Sequence, residues 1–243
     1  MQIGLAVVAI PGLIMLSACA ASRTEEGWRA EQVAVPETEE GTADAKPAAA
    51  PFLFREAKRP RGFPPPGPVG TVIVKDYPAY RLARTQAGET DHATGPNQMF
   101  GPLFNHIRRN DIAMTAPVEM EYAKTSLTST DAGSVAGTNA LTSMGFLYAE
   151  PFFGSTGPDP SDSRVVVEDI PAMTVVSVSL RGNYTPRNFA AGADVLRDWF
   201  STRSDQFRVA GSPRYLAYNS PFVPGFFKLG EVQIPVERIA AEE

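Results

Sequence analysis

The nine residues VIVKDYPAY at 72–80 return ninety-three positions later as VVVEDIPAM at 165–173. Val72, Val74, Asp76, Pro78 and Ala79 recur as identical residues, and the remaining positions keep apolar opposite apolar or charge opposite charge. The stretch after each copy also repeats. RLARTQA after the first proline break stands opposite TVVSVSL at 174–180 after the second, and both read as strands. MFGPLFNHIRR carries apolar residues at 99, 100, 103, 104 and 107, one face of a helix that either starts near Gly101 or is kinked there. At the same offset lies TPRNFAAGADVLRDWF, with Thr185 as N-cap, Pro186 in the first turn, and Phe189, Ala193, Leu196, Trp199 and Phe200 on one side. Extended runs come after both helices: IAMTAPVEMEY and MGFLYAE in the first copy, RYLAYNS and EVQIPV in the second. Each copy therefore reads β-β-α-β-β.

Two copies are too few for a solenoid. One small sheet with one helix cannot cover its own faces and edges. Two copies related by a pseudo-twofold can pair strands and share a core. The expected fold is α+β: duplicated β-β-α-β-β halves forming a distorted antiparallel barrel or curved sheet, flanked by two helices. Such a junction is also expected to leave a cleft for a ligand.

The folded part is expected over 68–239. Ahead of it, 1–18 is an uncharged apolar stretch interrupted by Pro11, too short for a comfortable membrane span and suited to a signal-peptide core. It runs into Leu16-Ser17-Ala18-Cys19, which resembles a bacterial lipobox and would make Cys19, the chain's single cysteine, the lipidation site. The usual basic n-region is missing, so an uncleaved anchor or a misassigned start stays open. Residues 19–67 are rich in Ala, Glu and Pro and read as a disordered tether ending in the stiff junction GFPPPGP, with Phe52, Leu53 and Phe54 as apolar exceptions able to dock. A lipidated cysteine on such a tether implies an envelope location: the outer membrane, on its periplasmic side, in a Gram-negative host. The net charge of −5 and the lack of a basic stripe argue against nucleic acid as a partner.

The run FNHIRRNDIAMTAPVEM at 104–120 resembles the SOUL haem-binding proteins, whose hallmark is a helix followed by a K-I-x-M-T-x-P-V strand; here Asp111 stands where the family often has Lys. DYPAYRLA, MGFLYAEP, RVVVEDIPAMTVVSVSLRGNYT and PRYLAYNSPFVPGFFKLGEVQIPV agree with the family in order, so the resemblance spans about 69–237. It implies haem or another tetrapyrrole held in an apolar groove beside the first helix, by a binding protein and not an enzyme. It also implies a fold similar to effector-binding domains for small aromatic or cationic ligands.

On that reading the candidate haem contacts are Met99, Phe100, Leu103 and Phe104 along the groove, Met114 and Met120 toward the porphyrin, and Arg108 and Arg109 for the propionates. His106, at the border of the apolar face, is the candidate axial iron ligand; His92 sits in a polar loop. For each helical residue, core packing is the competing role, and for His106 a satisfied boundary histidine. Two other functions stay open: a module for a different small hydrophobic ligand, and an enzyme acting on a tetrapyrrole. The single thiol, and two histidines without a nucleophile motif beside them, speak against the enzyme. Nothing in the residues fixes the oligomeric state.

Overall fold

The computed structural model describes residues 30–31, 51–87, 96–122 and 141–239. Cys19, His92 and the 1–18 stretch lie outside the described residues. The elements, in chain order, are β1 (Ala30–Glu31), β2 (Val72–Tyr77), β3 (Tyr80–Gln86), α1 (Pro96–Arg109), β4 (Val118–Tyr122), β5 (Leu141–Leu147), β6 (Gly157–Asp159), β7 (Asp162–Ile170), β8 (Met173–Arg181), α2 (Pro186–Ser201), β9 (Phe207–Val209), β10 (Arg214–Ala217) and β11 (Leu229–Arg238). Leaving aside the short β1, β6 and β9, the order is β-β-α-β-β twice, as the repeat predicts. All ladders are antiparallel and join one sheet in the order β1-β2-β8-β11-β10-β4-β5-β3-β7-β6, with β9 on β11. Exchange the two copies and the eight main strands read the same backwards. The pseudo-twofold therefore passes between β4 and β10, which pair Met120 with Tyr215.

The dyad also passes through the repeated motif. β2 pairs with β8, Val72 opposite Val178 through Tyr77 opposite Met173. β3 pairs with β7, Tyr80 opposite Ile170 through Thr85 opposite Val165. These two ladders share one register, with the facing corners Pro78-Ala79 and Pro171-Ala172 at its centre. Yet β2 and β3 lie at opposite ends of the strand order. A two-residue link between distant strands forces the sheet to curl until its ends approach. The path stays open, so the result is a strongly curved sheet and not a closed barrel.

Both helices pack on the outer face of this sheet, α1 over β3, β5 and β7, α2 over the dyad-related β8, β11 and β2. Alternation on each strand supplies the core. Val176, Val178, Val232, Ile234, Val165 and Val167 point to the helices and meet Met99, Leu103, Ile107, Phe189 and Leu196. α1 begins at Pro96 and carries Pro102 inside, so it starts earlier than Gly101. Only Val118–Tyr122 of the IAMTAPVEMEY run forms a strand. The folded part also begins before residue 68. Phe63 is 4% exposed in a second cluster with Tyr77, Tyr80 and Leu82, on the inner face of the sheet. Lys58 bridges Thr115, and the Arg61 N–H donates to the Ala149 carbonyl. Residues 52–67 are thus a docked strap where a free tether is expected from composition.

Gly192 of α2 presses on Leu180 and Val232. A Cβ there would stand 2.5 Å from Val232 Cγ2 and 2.9 Å from Leu180 Cδ1. Alanine gains about 1 kcal/mol over glycine inside a helix, but forcing a methyl into a packed contact costs about 1–3 kcal/mol. Gly192→Ala is therefore expected to lower the denaturant midpoint. A raised midpoint would mean that α2 has room to shift.

Candidate functional site

The fourteen residues of α1 divide among three environments. Met99, Leu103 and Ile107, four residues apart, are at most 4% exposed and form the core-facing stripe. Phe100, Phe104 and Arg108 make a second stripe directed outward. The Phe100 and Phe104 rings lie 5.9 Å apart and nearly parallel, and Phe100 meets Phe146 edge-on at 5.0 Å. Phe104 is 39% exposed, with the Arg108 guanidinium carbon 5.8 Å from its ring centre. Of the groove candidates, then, Met99 and Leu103 belong to the core, Phe100 stands at its boundary and Phe104 faces solvent. Met120 is core as well, whereas Met114, in the segment leaving α1, is 41% exposed.

The third environment holds His106, which is 4% exposed. Its Nδ1 lies 2.6 Å from Asp159 Oδ2 and its Nε2 lies 2.7 Å from the Tyr148 hydroxyl. Asn110 donates to the His106 carbonyl at 2.9 Å, and Arg109 donates to Asp159 Oδ2 at 2.6 Å. Burial pushes the Asp159 carboxyl up, but hydrogen bonds from His106 and the Ser161 N–H, and the Arg109 guanidinium, together pull it down to about 2. Burial raises Tyr148 to about 12, against a smaller lowering by Arg81. The tyrosine therefore keeps its proton, and His106 bridges Tyr148 and Asp159 through its two ring nitrogens. Both ring nitrogens are engaged, so binding iron through either would require giving up one of these bonds. Arg109 is likewise committed to Asp159, leaving Arg108 as the outward cation of the pair.

The inner face of the sheet carries charges that sequence reading missed. Glu119 on β4 accepts from Tyr80 at 2.8 Å, from Arg214 at 3.0 Å and from Arg84 at 3.0 Å. Arg84 also pairs with Glu121 at 2.8 Å and with Glu168. Arg214 donates to Gln233 at 3.0 Å, and Gln233 to the Tyr77 hydroxyl at 2.7 Å. Lys75 is ion-paired with Glu231, which also accepts from Tyr218 at 2.9 Å. Burial pulls the Lys75 ammonium down, partly offset by Glu231. Pro65 of the strap accepts a further Lys75 hydrogen bond at 2.9 Å. These groups satisfy one another, so the network braces the fold and presents no open functional group. The signal for it was the charged residues set among apolar ones in VIVKDY and VEMEY, a pattern shared with solvated strands.

With the two helices, the curved sheet and the outward aromatic stripe described, the sequence comparison decides the family. The profile of the SOUL heme-binding proteins matches residues 70–235. The chain belongs to the SOUL haem-binding protein family. No curated protein matches it. Among solved structures, an uncharacterized conserved protein from Listeria innocua is similar at 11% identity and a TM-score of 0.51, over 70% of this chain and 94% of that one. EcmrR, in a cryo-EM structure of its DNA complex, is similar at 14% identity and a TM-score of 0.50, over 70% of this chain and 58% of EcmrR, little more than half its length. A hydrolase from Listeria innocua gives 11% identity and a TM-score of 0.49, over 70% and 94% of the two chains. The first two likenesses show a shared fold alone, and none of the three transfers DNA binding or hydrolysis to the SOUL chain. Among the described residues there is no cluster of three or more His, Cys, Asp or Glu able to hold a metal ion, and no helix is long and apolar enough to cross a membrane.

Asp159 titrates lower in the folded chain than in an unfolded one. The stability it contributes is therefore full above about pH 4 and is lost as the pH falls toward about 2. Asp159→Asn is expected to lower unfolding free energy by on the order of 2 kcal/mol at neutral pH, with the difference from wild type shrinking below about pH 4. His106→Ala should cost about 1–3 kcal/mol, because it leaves buried partners unsatisfied. Denaturant unfolding across pH checks both. A pH-independent Asp159→Asn difference would refute the assignment.

Proposed function

We propose that this chain binds haem or a related tetrapyrrole on the outward face of α1, by stacking and charge pairing, without an axial histidine. One observation carries the reading: Phe100 and Phe104 present parallel, partly exposed rings with Arg108 beside them. Large aromatic rings left at the surface in a stacked pair favour a flat apolar partner. A guanidinium at the rim suits a carboxylate such as a propionate. Met114 adds a polarizable, 41% exposed side chain just beyond the helix. Membership of a haem-binding family supports the ligand class, and the engagement of both His106 nitrogens supports capture over ligation.

The proposed role is that of a carrier, buffer or sensor held at the cell envelope through lipidated Cys19, with binding and no turnover. The resemblance of Leu16-Ser17-Ala18-Cys19 to a lipobox supports the anchor. Absence of turnover is supported by the commitment of His106, Tyr148 and Asp159 to one another inside the fold.

Hemin titration is expected to give a shifted Soret band saturating in the micromolar range. Phe104→Ser with Arg108→Glu should weaken binding about tenfold or more, equivalent to about 1.4 kcal/mol. His106→Ala should keep the shifted band, and iron-free protoporphyrin should bind about as tightly as hemin. Wild-type affinity in the double variant would overturn the site. Loss of the band in His106→Ala with the fold intact would restore axial ligation. Saturable binding of unrelated planar aromatics, with none of porphyrin, would favour a module for another hydrophobic ligand.

A further inference from the structure

A second aromatic surface lies away from α1, where the described domain begins. Phe52 and Phe54 from the strap meet Phe227 at 6.5 and 5.4 Å, and Phe226 packs beside Phe227 at 4.3 Å. Phe222, between Pro221 and Pro224, is 93% exposed; Phe226 is 71% and Phe52 62% exposed. Burying such rings is favoured wherever an apolar medium is within reach, yet here they project into solvent on a proline-stiffened loop.

The cluster is held in place by hydrogen bonds between segments far apart in sequence. Asn219 donates to the Phe54 carbonyl at 2.7 Å. Glu56 accepts from the Ser220 N–H at 2.7 Å and from its hydroxyl at 2.6 Å. Arg181 donates to the Phe227 carbonyl at 2.9 Å and to that of Phe52. The polar groups beneath the rings are thus satisfied, the Glu56 carboxylate is turned to Ser220, and the apolar edges face outward. The attachment proposed through Cys19, with the charge of the chain, points to a lipid surface as the occupant. The rings lie where the described chain resumes at residue 51, after β1, and the chain ahead of β1 carries the uncharged apolar residues 1–18 and Cys19. The chain's net charge of −5 leaves apolar contact, and not attraction to anionic lipid, as the driving force.

We propose that Phe52, Phe54, Phe222, Phe226 and Phe227 form a membrane-contact face that seats the domain on the bilayer, with Phe222 and Phe226 entering the headgroup–acyl boundary. This rests on the membrane attachment proposed above and is independent of the haem site.

The test uses the full chain carrying Phe226→Trp in phosphatidylcholine–phosphatidylglycerol vesicles with brominated acyl chains, read as the difference from the unsubstituted chain, which contributes Trp28 and Trp199. Expected are co-flotation, a blue-shifted emission from the introduced indole that the brominated lipid quenches, and loss of that quenching when Phe222→Asp is added. Flotation with the introduced indole unquenched overturns the contact face and leaves the anchor standing. No flotation overturns both. A blue shift without vesicles that grows with protein concentration assigns the face to a second copy of the chain, and one independent of concentration assigns it to the chain's own N-terminal segment; either result overturns the lipid assignment.

Discussion

The fold depends on each copy of the repeated segment pairing with the other. Residues 72–77 run antiparallel to 173–178, and 80–85 to 165–170, in one register with facing Pro-Ala corners at its centre. β2 therefore has no hydrogen-bonded partner among the main strands of its own half, and neither has β7. The first half cannot complete its sheet alone. The corners carry the chain from one end of the strand order to the other, so curvature is imposed by connectivity. A flat sheet would leave strands joined by two residues many strand spacings apart. Proline suits the corner because it has no N–H to leave unpaired there.

Curvature in turn decides what the inner face can hold. A concave face closed by the 52–67 strap excludes water, and charges placed there are costly unless paired. Lys75 with Glu231, and Glu119 with Arg84 and Arg214, meet that condition. The Glu119–Arg214 pair joins β4 to β10 across the dyad. Removing one member would strand the other inside, so the network rewards one alignment of the halves over slipped alternatives. The strap contributes apolar cover through Phe63 and an acceptor for Lys75 through Pro65.

The architecture is legible because it is written twice: the β-β-α-β-β order, the helix faces and the pseudo-dyad come from spacing alone, and the MTAPV run points to the family. Side-chain roles are less legible. Lys75, Glu119 and Arg214 alternate with apolar residues as a solvated strand face does, and only the curl that buries them tells the two apart. The strap resembles a tether in composition because proline and small residues dominate it; Phe63 and Phe52–Phe54 are the apolar signal against that reading. His106 stands out for its position at the edge of the stripe. Its partners come from loops and strands 42 and 53 residues away, a distance that helical periodicity does not span.

Duplication also frees one copy from the constraints of the other. α1 and α2 occupy equivalent places on the sheet, and each turns a buried stripe inward. Outward they differ. α2 shows Ala191, Val195 and Asp198 to solvent, and its Trp199 packs on Phe207 at 5.3 Å and under Arg203 at 4.6 Å, so its aromatic surface is consumed by β9 and the turn before it. α1 leaves Phe104 stacked and open, with Arg108 alongside. If both helices served only to cover the sheet, matched pressure on two equivalent faces would favour small or polar residues on each. The aromatic stripe on one helix alone supplies the surface that the proposed porphyrin site uses, and it falls on the helix beside which the family's motif begins.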